Sequence, residues 1–370
     1  MKRLLCIVGG MNAGGAETFL MKLYRCLDKS EYQMDFAVGA VGEGFYDEEI
    51  QKSGGKIYHI TPKSAGALKN FKDIKRVVKE NGYKYVLRIS QHSLSALELL
   101  AARLGGAKVT AFRSSNSDTT TGRKKDVFLH KMCRFMPKKF ADVRIAPSTE
   151  AAEFMFGKDC IKNGKAVILH NAVDLNTYNY NEVSREKIRK EFGLSEKTVI
   201  GHIGRFNRQK NHSFLLEIFA EFLKLKPDSV LMLVGGGELE EQIKSKAEKL
   251  GIADKIIFTG VRDDVPSLLS AMDAFVFPSF YEGMPNTVIE AQAAGLPCVI
   301  SDRITREADI TGLVKFLPLE SPEKWAEETL RVITAERETP VDSFKENKYD
   351  IESVVGQFTN LIFADGVKLC

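Results

Sequence analysis

The sequence predicts an α/β protein built from two doubly wound domains that face each other across a cleft. Short apolar segments alternate with amphipathic ones along the chain, which is typical of parallel sheets covered by helices on both faces. The length of 370 residues, with 44% hydrophobic residues, is enough to bury two cores. Glycine-rich turns follow several of the apolar segments, at the positions where open α/β sheets bind ligands.

The apolar segments of the first half have the length of buried parallel strands. These predicted strands are Leu4–Val8, Met34–Val38, Tyr85–Ile89, Val109–Phe112, Val143–Ala146 and Val167–Leu169. Apolar residues recur at helical spacing between them, which predicts the helices Ala16–Leu27, Leu68–Glu80, Leu94–Leu104, Val127–Met136 and Glu150–Phe156.

The same alternation resumes at Val199. The predicted strands of this second series are Val199–Ile203, Val230–Val234, Ile256–Phe258, Ala274–Phe277, Cys298–Ile300 and Val314–Phe316. The predicted helices are Ser213–Leu225, Leu239–Leu250, Thr287–Ala294 and Pro322–Ala335.

A polar stretch near the middle of the chain separates the two series, because Asn and Tyr replace apolar periodicity there. Near the end, Glu352–Phe363 has apolar residues at helical spacing, and we expect this last helix to pack back on the N-terminal domain. The predicted parts are an N-terminal domain, a connector, a C-terminal domain and a C-terminal helix, at residues 1–175, 176–195, 196–340 and 341–370.

Composition excludes several classes of protein. The net charge of +4 is small for a dedicated nucleic-acid-binding protein. The six cysteines include no C-x-x-C pair, so a zinc site and a disulfide framework are both disfavoured and a reducing cytoplasm is indicated. No D-x-D occurs, so we expect no metal at a diphosphate site. No apolar run approaches the roughly 20 residues that span a bilayer.

The most informative segment is PSFYEGMPNTVIEAQAAGLP, which begins at Pro278. It follows a predicted strand, turns at Gly283 and enters a helix whose first amides can hold an anion. Glu282 and Glu290, separated by seven residues, offer carboxylates to hydroxyl groups. Together these features indicate a ligand that combines phosphate and polyol, such as a nucleotide-sugar.

Two further turns are candidate phosphate sites. The segment from Gly9 to Glu17 has glycines that let the backbone approach a ligand, although its spacing departs from G-x-G-x-x-G and a tight turn would use the same residues. Arg205 and Lys210 follow the first strand of the second series, where two cations suit a diphosphate. A solvated basic loop is the alternative.

Other candidates are less specific. The turn at Gly235-Gly236-Gly237 is compatible with a flexible connection. The backbone groups of Gly260-Val261-Arg262 are compatible with a contact to the edge of a nucleobase. His92 and His170 each follow a predicted strand; a structural role for such a histidine is the more common one.

In their order and spacing, these segments resemble the retaining glycosyltransferases of family 4, which have the GT-B fold, and among them the bacterial enzymes of capsular and exopolysaccharide synthesis. The resemblance extends over nearly the whole chain and is strongest from Val167 to Ser301. It includes LHNAVDLNTY, IGHIGRFNRQKNH, LVGGGELEEQI and PSFYEGMPNTVIEAQAAGLPCVISD. It implies an acceptor-side N-terminal domain and a C-terminal domain that binds the donor.

The resemblance also implies roles for residues. Glu282 and Glu290 match the family's E-x7-E pattern, in which the second glutamate binds ribose hydroxyls and the first a hydroxyl of the donor sugar. Arg205 and Lys210 match the paired cations on the donor diphosphate, so Arg205, Lys210 and Glu282 are the expected catalytic residues. The other expected donor-binding residues are Gly14, Gly15, Gly260, Val261, Arg262, Gly283, Met284, Pro285 and Asn286.

One position departs from the family. Related chains carry His-Ser-His-Asn after the fourth strand of the first domain, with a histidine close to the reacting sugar, and this chain has Arg113-Ser114-Ser115-Asn116. An arginine cannot act as a general base, but it can hydrogen-bond a sugar or neutralise a diphosphate. We therefore place Arg113, Asn116 and His92 on the sugar and acceptor side.

The implied reaction moves a sugar from a nucleoside diphosphate, with UDP favoured, to a hydroxyl of a lipid-linked saccharide, with no cofactor. The resemblance implies a polyprenyl-diphosphate-linked acceptor and a cytoplasmic protein at the inner face of the membrane. A basic helix supports membrane contact, because apolar residues recur in it at helical spacing beside cations. The apolar residues are Phe128, Met132, Phe135 and Met136, and the cations are Arg123, Lys124, Lys125, Lys131, Arg134, Lys138 and Lys139. A helix packed on its own domain by that stripe is the alternative.

Other functions are compatible with the same residues. A non-hydrolysing nucleotide-sugar epimerase would consume the donor without an acceptor, and a non-catalytic nucleotide-sugar-binding module would never turn over. A dinucleotide oxidoreductase is opposed by the glycine spacing and by the lack of a ribose-binding acid in Gly39–Gly42.

Overall fold

The computed structural model describes residues 1–12, 14–115, 124–333 and 337–364. The chain divides into two compact units. Unit 1 contains Met1–Ala172 and Ile351–Cys370, and unit 2 contains Val173–Asp350. Each unit is an open α/β structure around its own parallel sheet, so the predicted fold class of two doubly wound domains is confirmed.

The strands of unit 1 form a sheet in the order β3-β2-β1-β4-β5-β6-β7. They are β1 (Lys2–Val8), β2 (Tyr32–Val38), β3 (Ile57–His59), β4 (Tyr85–Ser90), β5 (Val109–Ser114), β6 (Val143–Ala146) and β7 (Val167–Ile168). The helices of this unit are α1 (Gly15–Cys26), α2 (Asp47–Lys52), α3 (Lys63–Asn81), α4 (Leu97–Gly105), α5 (Lys124–Met132), α6 (Phe135–Phe140) and α7 (Thr149–Phe156). Near the C-terminus, α16 (Ile351–Phe363) completes the unit.

The strands of unit 2 form a sheet in the order β10-β9-β8-β11-β12-β13. They are β8 (Thr198–Ile203), β9 (Ser229–Val234), β10 (Ile256–Gly260), β11 (Ala274–Phe277), β12 (Cys298–Ser301) and β13 (Val314–Leu317). The helices are α8 (Leu175–Tyr178), α9 (Glu182–Glu191), α10 (His212–Leu225), α11 (Glu240–Lys249), α12 (Val265–Ala271), α13 (Asn286–Ala293), α14 (Pro322–Val332) and α15 (Val341–Glu346).

Each sheet buries a core on both faces. In unit 1, α1 and α16 cover one face through Phe19 and Phe358, and α3, α4 and α7 cover the other. In unit 2, α10 and α14 cover one face, where Trp325 is fully buried, and α12 and α13 cover the other. Because both faces are covered, the strands consist of nearly continuous apolar runs, which is why they could be found in the sequence.

The last helix packs on unit 1. The ring of Phe363 lies 4.7 Å from that of Tyr32 and 5.0 Å from that of Tyr85, measured between centroids. The Lys2 ammonium donates a hydrogen bond of 2.9 Å to the carbonyl of Phe363. The preceding helix α15 belongs instead to unit 2, where Phe344 is fully buried. The unit boundary therefore lies inside the segment 341–370 that the sequence treats as one part.

The stretch 176–195 also differs from the connector that its composition predicts, because α8 and α9 form there and pack on unit 2. Arg185 and Arg189 both bind the Asp273 carboxylate at 2.6 Å. Asp273 additionally accepts the amide of Val199 at 2.8 Å. Arginine contacts replace the apolar stripe that usually reveals a packed helix, and the sequence pattern therefore missed it.

The predicted helix Val127–Met136 is interrupted, since α5 ends at Met132 and α6 begins at Phe135. The buried side chain of α5 is His130, whose Nδ1 accepts the amide of Ser93 at 3.1 Å. Its ring stacks on Phe154 at 4.2 Å. Because this polar residue faces the core, the apolar residues predicted to form one stripe point outward, except Met136, which packs against the core.

We predict that Asp273→Ala lowers the free energy of unfolding by about 3 kcal/mol, because it leaves the buried Arg189 and the partly exposed Arg185 without their carboxylate. Urea denaturation of unit 2, followed through the single tryptophan Trp325, measures this change. The control is Asp254→Ala, at an exposed aspartate. Equal stability of the two variants would contradict the assigned role of Asp273.

Candidate functional site

The order of strands in unit 2 reverses between β8 and β11, which are neighbours in the sheet. The chain runs outward from β8 through β9 to β10, and then returns to β11 on the other side of β8. Such a reversal opens a crevice at the carboxyl ends of the two strands, where open α/β sheets bind ligands. The loops that follow β8 and β11 contain Arg205, Lys210, Glu282 and Glu290 or lead directly to them.

An ion pair connects these two loops. The ammonium of Lys210 lies 2.7 Å from Oε1 of Glu282, and the two side chains are 16% and 10% exposed. The ammonium also lies 4.5 Å from the centre of the Phe277 ring. A cation and a carboxylate with so little access to water attract each other more strongly than a surface pair does. The structure thus places together two residues that are 72 positions apart in the sequence.

Backbone and side-chain hydrogen bonds hold the two loops in this position. The amide of Phe280 donates to the carbonyl of Gln209 at 2.9 Å, and the Gln209 side chain donates to the carbonyl of Tyr281 at 2.9 Å. The side chain of Asn207 accepts the amide of Lys210 at 3.2 Å and caps the 3₁₀ turn Arg208–Lys210. Lys210 is therefore held at its backbone by the capped turn and at its ammonium by Glu282.

The second glutamate lies on α13, directly after the turn. Pro285 is the N-cap residue of α13, Asn286 is its first residue, and Glu290 lies one turn further and is 8% exposed. Met284, also 8% exposed, packs into the core beneath the turn. The first amides of α13 thus lie at the carboxyl end of β11, next to Gly283 and the ion-paired Glu282, as an anion site requires.

The glycine turn after β9 supports the loop after β8. The amide of Gly204 donates to Val234 and that of Phe206 to Gly236, both at 3.0 Å. Gly235 has φ +131°, and a Cβ at this position would overlap the carbonyl oxygen of Gly204. The turn is therefore part of a rigid backbone layer, which the interpretation as a flexible connection did not anticipate.

Other predicted donor-site residues have partners at the surface. Arg205 is exposed and pairs with Glu238 at 3.5 Å. Arg262 pairs with Asp264 at 2.7 Å and with Glu191 at 3.1 Å. Gly260 adopts φ +70°, and Val261 beside it is 84% exposed.

In unit 1 the corresponding reversal lies between β1 and β4. Gly14 is the N-cap residue of α1 and Gly15 its first residue, so the predicted glycine turn lies at this reversal. The carboxylate of Glu17 lies against Gly14, and burial raises the pKa of that carboxyl. His92 follows β4, where its Nδ1 accepts the amide of Leu94 at 3.2 Å.

Arg113 is 2% exposed near the end of β5. Its guanidinium donates a hydrogen bond of 2.6 Å to the side-chain oxygen of Asn171 and lies 3.7 Å from the centre of the Phe19 ring. Burial lowers its pKa to about 9, and burial together with the nearby Arg113 lowers the pKa of His170 to about 4. Asn116 lies outside the described residues.

Sequence patterns missed a charged cluster at the same edge of unit 1. Arg88, in β4, pairs with the buried Glu98, which also binds Lys63 at 3.0 Å. The hydroxyl of Ser95 accepts a second hydrogen bond from Lys63, at 2.9 Å. The one available signal was an arginine inside an otherwise apolar strand, since a buried cation needs a partner.

Comparisons with known proteins show the family of this chain. Residues 13–177 match the family described as Glycosyltransferase Family 4, and residues 184–349 match the family described as Glycosyl transferases group 1. EpsF of Bacillus subtilis, which is named as a glycosyltransferase, is 33% identical over 368 residues, covering 97% of this chain and 96% of EpsF. The chain belongs to glycosyltransferase family 4.

A further relative of this glycosyltransferase and a solved structure are consistent with this assignment. An Escherichia coli enzyme named UDP-Gal:alpha-D-GlcNAc-diphosphoundecaprenol alpha-1,3-galactosyltransferase is 28% identical, over 64% of this chain and 62% of its own. The crystal structure of HepE from Anabaena in complex with UDP-glucose aligns with a TM-score of 0.75 at 16% identity, covering 97% of this chain and 99% of HepE. The glycosyltransferase therefore has the GT-B fold.

We predict that Gly235→Ala lowers the free energy of unfolding by about 2 kcal/mol or more, because an alanine is strained at positive φ and its Cβ meets a backbone oxygen. The matched control is Gly236→Ala, where a Cβ would find its nearest atoms at 3.9 Å. Chemical denaturation measures both. A Gly235→Ala variant as stable as Gly236→Ala would show that the two loops do not depend on this close approach.

Proposed function

We propose that this glycosyltransferase transfers a sugar, with retention of anomeric configuration, from a UDP-sugar to a hydroxyl of a lipid-linked saccharide in the synthesis of a cell-surface polysaccharide. The observation that carries the proposal is the Lys210–Glu282 pair at the strand reversal of unit 2. It supplies a cation for a diphosphate and a carboxylate for sugar hydroxyls at one place. The names of the Escherichia coli relative and of the HepE complex support UDP as the nucleotide.

In this proposal the donor opens the ion pair. The ammonium of Lys210 moves to the diphosphate, and the carboxylate of Glu282 accepts a hydrogen bond from a hydroxyl of the sugar. Glu290 binds the ribose hydroxyls, and the first amides of α13 face the phosphates. Arg205, exposed beside Glu238, adds a second cation when the diphosphate is present.

The reaction breaks the bond between the anomeric carbon and the diphosphate oxygen, and forms a bond from that carbon to the acceptor oxygen on the same face. The acceptor's proton passes to the departing phosphate, so no protein base is needed. Negative charge grows on the diphosphate as it leaves, and Lys210 with the helix-start amides stabilises it. Arg113, buried between Asn171 and Phe19, is not needed as a proton acceptor in this reaction.

We expect Lys210→Ala to lower the turnover number by about 10²–10³, since it removes a preorganised donor of positive charge, and Arg205→Ala to lower it too. Release of UDP from a panel of UDP-sugars, with a lipid-linked saccharide as acceptor, measures both.

Addition of EDTA leaves the transfer rate unchanged if these cations replace a metal ion. Near-normal rates in both variants would refute the assigned roles. Consumption of donor without acceptor would indicate the epimerase.

The surface of unit 1 supports an acceptor that is attached to lipid. Large apolar side chains are exposed on the segments that follow the carboxyl ends of β2, β3 and β4. Others are exposed on α5 and α6. Helix α5 lies near the same strand ends, because it contacts the turn that follows β4. These large apolar residues are Val41, Phe45, Leu68, Leu94, Phe128, Leu129, Met132 and Phe135. No helix among the described residues is long and apolar enough to cross a membrane.

The exposed apolar face of α5 and α6 is accompanied by exposed cations at Lys131, Lys138 and Lys139. Apolar side chains that enter the headgroup region, with cations beside anionic lipid, are typical of peripheral membrane contacts, and each cation contributes about 1 kcal/mol. These side chains support our proposal that the enzyme works at the inner face of the cytoplasmic membrane, with this face toward the lipid.

We predict that the protein floats with vesicles that contain phosphatidylglycerol and does not float with phosphatidylcholine alone, because both anionic and apolar contacts are needed. The triple variant Phe128→Gln, Met132→Gln, Phe135→Gln is expected to lose flotation. Leu104→Gln, at an equally exposed leucine on α4, is the control and keeps it. Equal flotation of the triple variant and the wild-type protein would exclude this face as the contact.

A further inference from the structure

A buried histidine lies beneath the loop that presents Lys210. His202 is in β8, fully buried, with its ring stacked on Phe277 at 5.3 Å and Phe275 at 6.2 Å between centroids. The neighbouring His212, the first residue of α10, lies 4.7 Å from it. Neither histidine has a role in the reaction proposed above.

One nitrogen of His202 is committed and the other is not. Nδ1 lies 2.9 Å from the carbonyl oxygen of Val276. Because a carbonyl oxygen can only accept, Nδ1 carries the proton, and the neutral ring then presents a lone pair at Nε2. Among the described residues, Nε2 of His202 has no hydrogen-bond partner. Burial, first of all, and the nearby His212 hold the pKa of His202 well below its usual range, so the ring is neutral at pH 7.

The free nitrogen lies near the stem of Lys210, beside Gly204. A Cβ built on Gly204 would lie 3.3 Å from Nε2 of His202 and 3.2 Å from both Cδ and Cε of Lys210. Nε2 and the end of the lysine stem therefore border the same small space beside Gly204. The ammonium itself, one bond beyond Cε, is paired with Glu282 at 2.7 Å.

A buried acceptor without a donor is costly. Leaving such a group unsatisfied destabilises a fold, and each case in a native structure calls for an explanation. A phenylalanine would stack on Phe277 as well and would bring no unpaired nitrogen. The unpaired nitrogen is explained if a hydrogen-bond donor reaches it when the site binds a ligand. Lys210 is the adjacent group whose ammonium has more than one donor.

A neutral acceptor suits a phosphate-binding lysine. A second carboxylate would orient the ammonium but would also cancel its charge and compete with the diphosphate. A neutral imidazole nitrogen orients the ammonium by one hydrogen bond and leaves its full charge for the ligand. The ammonium has three donors, so one bond to His202 leaves two for phosphate oxygens.

We propose that His202 is a positioning residue for Lys210: its Nε2 accepts a hydrogen bond from the Lys210 ammonium when that ammonium leaves Glu282 to bind the donor's diphosphate. The inference rests on the proposed function, in which the donor opens the Lys210–Glu282 pair. His202 touches no substrate and acts only through Lys210.

A double-mutant cycle on UDP binding tests this role, because UDP carries the diphosphate and needs no acceptor. Isothermal titration calorimetry at pH 7.5 gives the Kd of UDP for the wild-type protein, His202→Phe, Lys210→Met and the double variant. We expect His202→Phe to weaken UDP binding roughly tenfold. In the Lys210→Met background the same substitution is expected to change the Kd by less than about twofold, because its target is gone.

Two control variants separate positioning from packing. His212→Phe removes the neighbouring buried ring, 4.7 Å from that of His202, whose two nitrogens have no hydrogen-bond partner among the described residues, and is expected to keep the wild-type Kd. His202→Gln retains an acceptor atom and is expected to recover part of the lost affinity. Equal losses from His202→Phe with and without Lys210 would assign His202 a structural role and overturn the proposal, as would an unchanged Kd in His202→Phe.

The wild-type protein supplies a measurement that does not depend on the folding of any variant. With ¹⁵N-labelled histidine, the Nε2 resonance of His202 is expected to move upfield when UDP is added, as a lone pair becomes a hydrogen-bond acceptor. An unmoved resonance in a protein that binds UDP overturns the role of His202 alone. A wild-type protein that binds none of UDP, GDP, ADP and TDP overturns the proposed function itself.

Discussion

The candidate site depends on the Lys210–Glu282 ion pair at the reversal of strand order in unit 2. Removing both charges from water costs free energy, which their attraction offsets only partly, so such a pair contributes little net stability. Its value lies in the two groups that it stores in one place. The cation and the carboxylate are already desolvated and oriented. When a ligand binds, the cation can leave the carboxylate for the phosphate, and the carboxylate can accept hydrogen bonds from the hydroxyls.

That exchange requires that the surrounding backbone stays in place while the side chains move. The loops after β8 and β9 are joined by hydrogen bonds at a point where Gly235 lets them approach closely. On the other side, the guanidinium of Arg337 donates to the carbonyls of Met272 and Ala294 at 2.7 and 2.6 Å, just after α12 and α13. A cation there satisfies carbonyls that the helices leave without partners. Polar contacts therefore hold both the loops that carry the site and the C-terminal ends of α12 and α13.

The two units use the same sheet edge differently. In unit 2 the carboxyl edge concentrates charges that are shielded from water, as recognition of a diphosphate and hydroxyls requires. In unit 1 the same edge combines a buried charged cluster around Glu98 with exposed apolar side chains on α5 and α6. An α5 that buries His130 and exposes Phe128 is the reverse of a normal amphipathic helix, and this reversal supports the proposed contact with lipid.

The sequence by itself determined the fold class, most of the strands and the family. Buried parallel strands are continuous apolar runs in the sequence. The spacing of Glu282 and Glu290 is a local pattern, as is the loop from Arg205 to Lys210, so both can be recognised in the sequence alone. Elements that are held by polar contacts have no such apolar pattern and were not predicted from the sequence. The strand β3 is short and only half-buried, and α9 is anchored by arginines, so neither has apolar periodicity.

Only the tertiary structure decided which residues meet. Lys210 pairs with Glu282 because β8 and β11 are neighbours in the sheet, although two strands and three helices lie between them in the chain. It also decided that Arg205 and Arg262 have surface partners and that Arg113 is buried on Phe19. In the described part of the chain, it left Nε2 of His202 without a hydrogen-bond partner near Lys210. Burial and pairing are properties of packed neighbours, and strand order, which selects those neighbours, is not a local property of the chain.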